Sequence, residues 1–210
     1  MFYEAINEPL LRRVPPETKR LLDLGCGSGG FGAKFKHTHA CEVVGVTFSE
    51  PEQQIAAQLL DHVLQSDLNS CDLRALGQFD CIVCSHVLEH LYQPQDLLGQ
   101  LKENLASGGL LLVALPNVLY WRQRLEFVRG RFRYTEGGLM DRTHYRFFDW
   151  RTAQELLQAS GYRIVEATSI GHLPLVSRWL PSPMRETVDK TVTRQFPGLL
   201  GHQFLFCCAL

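Results

Sequence analysis

The chain has 210 residues, 45% hydrophobic and 20% charged, with a formal net charge of −1. This is enough apolar material for a full core, and the balance excludes a disordered, collagen-like or generally nucleic-acid-binding chain. Its seven cysteines are an odd set with no tight spacing, which points to reduced thiols in a cytoplasmic setting rather than a disulfide framework.

Residues 1–17 lack a signal-peptide layout and read as a short helix, Glu8 to Arg13, stopped by Pro15-Pro16. This segment is expected to pack as a flap near the site, with Tyr3 as a packing residue. Leu21-Leu22-Asp23-Leu24 is a short strand that ends in Gly25-Cys26-Gly27-Ser28-Gly29-Gly30, and Phe31 to Phe35 opens a helix. Gly25 and Gly27 let the backbone turn tightly with no Cβ in the way, and the helix start offers unpaired N–H groups. As a bare pattern, Gly25-x-Gly27-x-x-Gly30 also fits a dinucleotide loop. Asp23 separates the two readings, because a carboxylate at that strand end repels a pyrophosphate and attracts an ammonium group.

Glu42 to Val46 is the second strand, and Ser49, Pro51 and Glu52 form a capping box at the next helix. Val63 to Leu68 is the third strand with Asp67 at its end. Phe79 to Cys84 is a fourth, apolar on both faces, running into Ser85-His86-Val87-Leu88-Glu89-His90. Cys81 and Cys84 fall on opposite faces of that strand. His37-Thr38-His39-Ala40-Cys41 fills a turn without a carboxylate, so no metal is expected. Glu89 and His90 read as structural groups.

Gln95 to Ala106 has helical spacing and is expected to end at Ser107-Gly108-Gly109, with Gly109 to Leu115 as the fifth strand. Residues 118–148 carry Arg122, Arg124, Arg129, Arg131, Arg133, Arg142 and Arg146 among aromatics, with Glu126, Glu136 and Asp141 as the acids. This segment reads as a lid or acceptor pocket, with an anionic acceptor or carrier and a solvated helix face as evenly matched readings of its arginines. Asp149 caps a helix from Trp150 to Ser160, and Tyr162 to Ile170 is the sixth strand. Residues 171–202 form a long connection with a helix from Pro183 to Gln195. Leu173, Leu175, Val176, Trp179 and Leu180 pack over the sheet in this reading, with a dimer face or a membrane-grazing patch as alternatives. Gln203 to Ala209 is the last strand. The longest apolar run is too short to span a bilayer, and a length of 210 residues is that of a single domain over 1–210, expected as monomer or homodimer.

DLGCGSG (23–29) resembles the first motif of class I S-adenosylmethionine-dependent methyltransferases, and FDCIVCSHVLEHL (79–91) resembles the corresponding segment of their small-molecule members. The resemblance covers nearly the whole chain. It implies an α/β, doubly wound, Rossmann-like sheet of seven strands, the last antiparallel beside the fifth, with helices on both faces. It also implies S-adenosylmethionine as cofactor and S-adenosylhomocysteine as product. By the family's motifs, Asp23, Gly25, Cys26, Gly27 and Gly29 meet the methionine end, with Ser85 and His86 beneath it. Asp67 and the backbone N–H of Leu68 meet the adenine. Thr47 stands where the family usually places an acid for the ribose. Thr47 with Glu52 is the expected replacement, although the capping box alone would also account for Glu52.

His86 and His144 are the candidate bases, since histidine titrates near neutrality; a structural hydrogen-bonding role is the alternative for each. The implied acceptor is a small molecule offering oxygen or nitrogen, with a sugar or a metabolite on an anionic carrier in view, and no nucleic acid. Competing readings are an NAD(P)-dependent oxidoreductase, against which Asp23 counts, and a non-catalytic S-adenosylmethionine-binding protein.

Overall fold

The computed structural model describes residues 6–171 and 182–210. Tyr3 and the apolar patch of 173–180 lie outside them. The strands are β1 (Arg20–Leu24), β2 (Glu42–Thr47), β3 (His62–Gln65), β4 (Phe79–Ser85), β5 (Leu105–Pro116), β6 (Arg163–Gly171) and β7 (Gly201–Ala209). They form one sheet in the order β3-β2-β1-β4-β5-β7-β6. The first five run parallel, and β7 is antiparallel to both β5 and β6. The order reverses between β1 and β4, which places a crevice at the carboxyl ends of those two strands.

The alternation of side chains along each strand builds two cores. Leu22, Leu24, Ile82, Cys84, Leu111, Val113, Phe204 and Phe206 face one side, against Leu97, Leu98 and Leu101 of α4 (Pro94–Asn104) and Ala153 and Leu157 of α6 (Trp150–Ala159). Leu21, Cys81, Val83, Leu112, Ala114, Leu205 and Cys207 face the other, against Leu10 of α1 (Glu8–Leu11), Phe31 and Phe35 of α2 (Gly30–Lys36) and Ala56 of α3 (Glu50–Ala56). Cys81 and Cys84 thus belong to separate cores. Among the described residues all seven cysteines are free thiols, and no helix is long and apolar enough to cross a membrane.

The structure departs from the sequence reading in a few local places. α4 stops at Asn104 and β5 begins at Leu105, which pairs with Phe79 before a register shift. Ser107-Gly108-Gly109 is therefore an irregularity within the strand rather than a helix cap, because Leu105 is already extended and paired with Phe79; the buried Asn104 side chain donates to the carbonyls of Leu73 and Gly77. β3 ends at Gln65, leaving Asp67 in the loop beyond it. Residues 118–148 contain a further helix, α5 (Trp121–Val128), and α7 (Ser182–Gln195) is followed by a short α8 (Pro197–Leu200).

Candidate active site

Strand register lines up the sequence motifs along one edge. Thr47 pairs with Gln65, Leu24 with both Val46 and Cys84, and Pro116 with Gln203. The loop carrying Asp67, then Thr47, the glycine loop and Ser85–His86 therefore follow one another across neighbouring strands about 4.8 Å apart, and Gln203 stands one strand further on, beyond Pro116 of β5. The edge is a continuous rim rather than scattered positions.

At the centre, Gly25, Gly27 and Gly29 all adopt positive φ (68°, 53° and 83°), the conformation that turns β1 into α2. A Cβ on Gly25 would come within 2.7 Å of Val87 Cγ2, whereas one on Gly27 would meet nothing within 4 Å. Cys26 turns away from the rim; it is buried, its thiol is packed against Gly45, and its amide donates to the Val46 carbonyl. Asp23 sits beneath the loop, 2% exposed, with no hydrogen-bond partner for Oδ2. Burial pushes its carboxyl up to about 7, against the opposing pull of the Gly32 amide. An orphaned carboxylate oxygen under a turn of bare glycines suits an ammonium group and disfavours a phosphate.

At the end of β2, Thr47 Oγ1 donates to Glu52 Oε2 at 3.0 Å. Ser49 does accept the Glu52 amide as an N-cap, but the Glu52 carboxylate reaches back to Thr47 instead of closing the capping box. The two residues read as a replacement for the family's acid are in contact with each other. Asp67 is exposed, and its Oδ1 accepts from both the backbone and the side chain of Asn69 at 2.9 Å. Asn69 in turn accepts the Tyr92 amide, and Tyr92 lies against Tyr145 with ring centroids 4.2 Å apart. Leu68 is partly buried against the core.

His86 is, among the described residues, the one non-glycine with positive φ (56°), a strained backbone of the kind that collects at working sites. Its Nδ1 lies 3.1 Å from Glu89 Oε1 and its Nε2 lies 2.9 Å from Gln203 Oε1. Asn7 Nδ2 donates to the same Gln203 oxygen and to Ser85 Oγ, which ties the amino-terminal segment over the ends of β4 and β7. Burial opposes charge on His86, but the Glu89 carboxylate and Gln203 outweigh it and raise the pKa. Both ring nitrogens are therefore engaged by neighbouring oxygens, which favours the protonated ring and leaves neither nitrogen free to meet an acceptor.

His144 approaches from the other side of Glu89. It is buried, its Nδ1 has no partner, and burial lowers its pKa despite Glu89 nearby. The 141–148 loop is clamped to the 3-10 turn Leu88–His90, because the amides of Tyr145 and Arg146 both donate to the Glu89 carbonyl. Glu89, His90 and His144 consequently present ligand-type atoms that all lie within 4.8 Å of one another. Sequence reading singled out His86 and His144 but missed what joins them. Glu89, Gln203 and Asn7 are the additional residues, and a glutamate inside the apolar run Val87-Leu88 was the one local signal.

The arginines of 118–148 mostly have partners within the protein. Arg129 and Arg131 pair with Glu126, and Arg142 with Glu136. Arg124 and Arg146 donate to backbone carbonyls, and Arg122 lies over the Trp121 ring. An open pocket of about 330 Å³ between α5 and the following loop is lined by residues including Arg131, Arg133, Leu139 and Met140, and shares no residue with the strand-end rim.

Comparison with known proteins agrees with this geometry. The family model described as "Methyltransferase domain" matches residues 2–167. A ubiquinone biosynthesis O-methyltransferase of Parvibaculum lavamentivorans is 26% identical over 79% of this chain and 67% of its own. One from Coxiella burnetii is 29% identical over 78% of this chain and 72% of its own. A SAM-dependent methyltransferase of Archaeoglobus fulgidus superposes with a TM-score of 0.65 at 19% identity, covering 95% of this chain and 88% of that one.

Proposed function

The chain belongs to the methyltransferase-domain family and is an S-adenosylmethionine-dependent methyltransferase; on that premise we propose that it methylates a hydroxyl oxygen of a small, ring-bearing molecule. The observation that carries the choice of oxygen is the likeness to relatives named O-methyltransferases over most of the chain. The exposed aromatics Phe132, Tyr134 and Tyr145 on the acceptor-side segment suit a planar acceptor. Because the arginines are largely committed to internal partners, negative charge on the acceptor is left out of the reading, as is the nicotinamide alternative.

The residues present fit the cofactor. Asp23 would take its ammonium end, Thr47 with Glu52 the ribose hydroxyls, and Asp67 with the Leu68 amide the adenine, while Gly25 and Gly27 let the backbone approach. When bound, the cofactor supplies a methyl group already activated by a sulfonium. The protein's task is then to hold an acceptor oxygen in line behind that methyl and exclude water. Asp23 and the glycine loop would fix the donor end of that line, and the 118–148 segment would fix the acceptor end. His86, fixed from both sides, acts here as a positioning residue at the methionine end, and His144 faces the acceptor side.

The test is incubation with S-adenosylmethionine and a panel of phenols, catechols, sugars and amines, read by mass spectrometry. A gain of one methyl on oxygen of an aromatic acceptor is expected. Methylation confined to amines or to sugars would overturn the reading.

A further inference from the structure

We propose that Glu89, His90 and His144 form a binding site for a divalent transition-metal ion, zinc or its cobalt substitute, at the junction of the cofactor rim and the acceptor side. The three residues offer ligand atoms within 4.8 Å of one another, and their hydrogen bonding leaves the right atoms available. Glu89 is fully buried, with Oε1 engaged by His86 and Oε2 without a partner. His144 is 8% exposed and its Nδ1 likewise has none. His90 has its Nδ1 against the Thr143 carbonyl at 3.2 Å and the Thr143 hydroxyl at 3.1 Å. That arrangement fixes the tautomer and leaves Nε2 as the lone-pair nitrogen, the way metal-binding histidines are usually anchored. Two buried polar atoms with no partner in a well-packed protein call for an explanation, and an ion between them supplies one.

Backbone geometry assembles the set in advance. Glu89 and His90 share one 3-10 turn, and the two amides donated to the Glu89 carbonyl hold His144 against it. Two imidazoles and a carboxylate are the donors of catalytic zinc sites, which keep a position open. No local motif marks this set, since Glu89 and His90 lie 55 and 54 positions before His144. The ion's role rests on the methyl-to-oxygen reading: in the open position it would hold the acceptor hydroxyl and favour its deprotonated form. This would supply what His86, with both ring nitrogens engaged, does not offer. The ion's binding does not depend on that reading.

Cobalt(II) added to the full chain after chelator treatment provides the test. A single equivalent is expected to give the visible d–d absorption of nitrogen and oxygen ligation, displaced by zinc. His90→Ala and His144→Ala should each weaken binding by about tenfold or more, while calorimetry with S-adenosylhomocysteine and circular dichroism remain as in the parent. Absence of the bands, near-ultraviolet charge transfer from a cysteine thiolate, or variants that bind like the parent would each overturn the site. Cobalt binding without methylation of any oxygen acceptor would uphold the site and sink the functional reading. Full methylation in chelator with no cobalt bands would do the reverse.

Discussion

Asp23 carries a cost that the ligand is built to remove. Its carboxyl titrates near 7 in the folded chain and near 3.9 in an unfolded one. Below about pH 3 it is neutral in both states and contributes nothing. As pH rises from there, the unfolded chain ionises first, so folding stability falls until the folded carboxyl also ionises near pH 7, by about 4 kcal/mol as an order of magnitude. Asp23→Asn should flatten that part of the stability–pH profile in denaturant titrations of the ligand-free protein. An ammonium beside Asp23 favours the carboxylate, so S-adenosylhomocysteine binding at pH 6 should release most of a proton. Calorimetry in buffers of different ionisation enthalpy reads that release directly, and Asp23→Asn should abolish it. Equal proton release in both proteins would mean that the ligand's amino group lies elsewhere.

At the scale of elements, the loop joining β1 to α2 separates two uses of glycine. Gly25 and Gly27 share positive φ, so alanine at either should cost roughly 1–2 kcal/mol of backbone strain. Only at Gly25 does the new Cβ also press on the buried, β-branched Val87, at 2.7 Å. Gly25→Ala should therefore lower the melting temperature more than Gly27→Ala, while Gly27→Ala, whose Cβ enters open space, should weaken cofactor binding beyond its effect on stability. Thermal denaturation paired with S-adenosylhomocysteine calorimetry compares the two; equal melting temperatures would contradict the Val87 contact. This loop was legible in the sequence because strand, turn and helix signals are all local there. Thr47 and Glu52 were legible for the same reason, lying five positions apart across the junction of β2 and α3. The strut from Asn7 through Gln203 to His86 was not, since its partners lie 196 and 117 positions apart and nothing local marks Gln203. Ser107-Gly108-Gly109 misled because glycines after a helical pattern usually cap it, whereas the pairing of Leu105 with Phe79 prevails here.

At the scale of the molecule, β7 links the two cores to the site. It is inserted between β5 and β6, and β6 stands at the sheet edge with β7 as its neighbour. Phe204 and Phe206 belong to one core and Leu205 to the other, all fully buried, while Gln203 at the head of the strand holds His86. At about 1.5–3 kcal/mol for each large apolar side chain, those three residues together contribute roughly 5–9 kcal/mol, comparable with the whole stability of an ordinary domain. Truncation after Leu200 would also leave β6 without its pairing strand and expose the edge of β5. Such a chain is expected to lose the cooperative thermal transition in circular dichroism and to give no heat with S-adenosylhomocysteine. The cofactor rim from Asp67 to Ser85 lies on β1 to β4 and the loops that follow them, so the binding readout tests whether that half can stand alone. A cooperative transition with retained binding would show that β1 to β5 fold as an independent unit and that the carboxyl-terminal strands serve only the acceptor side. Two cores divided by one sheet and crossed by one strand favour the opposite result.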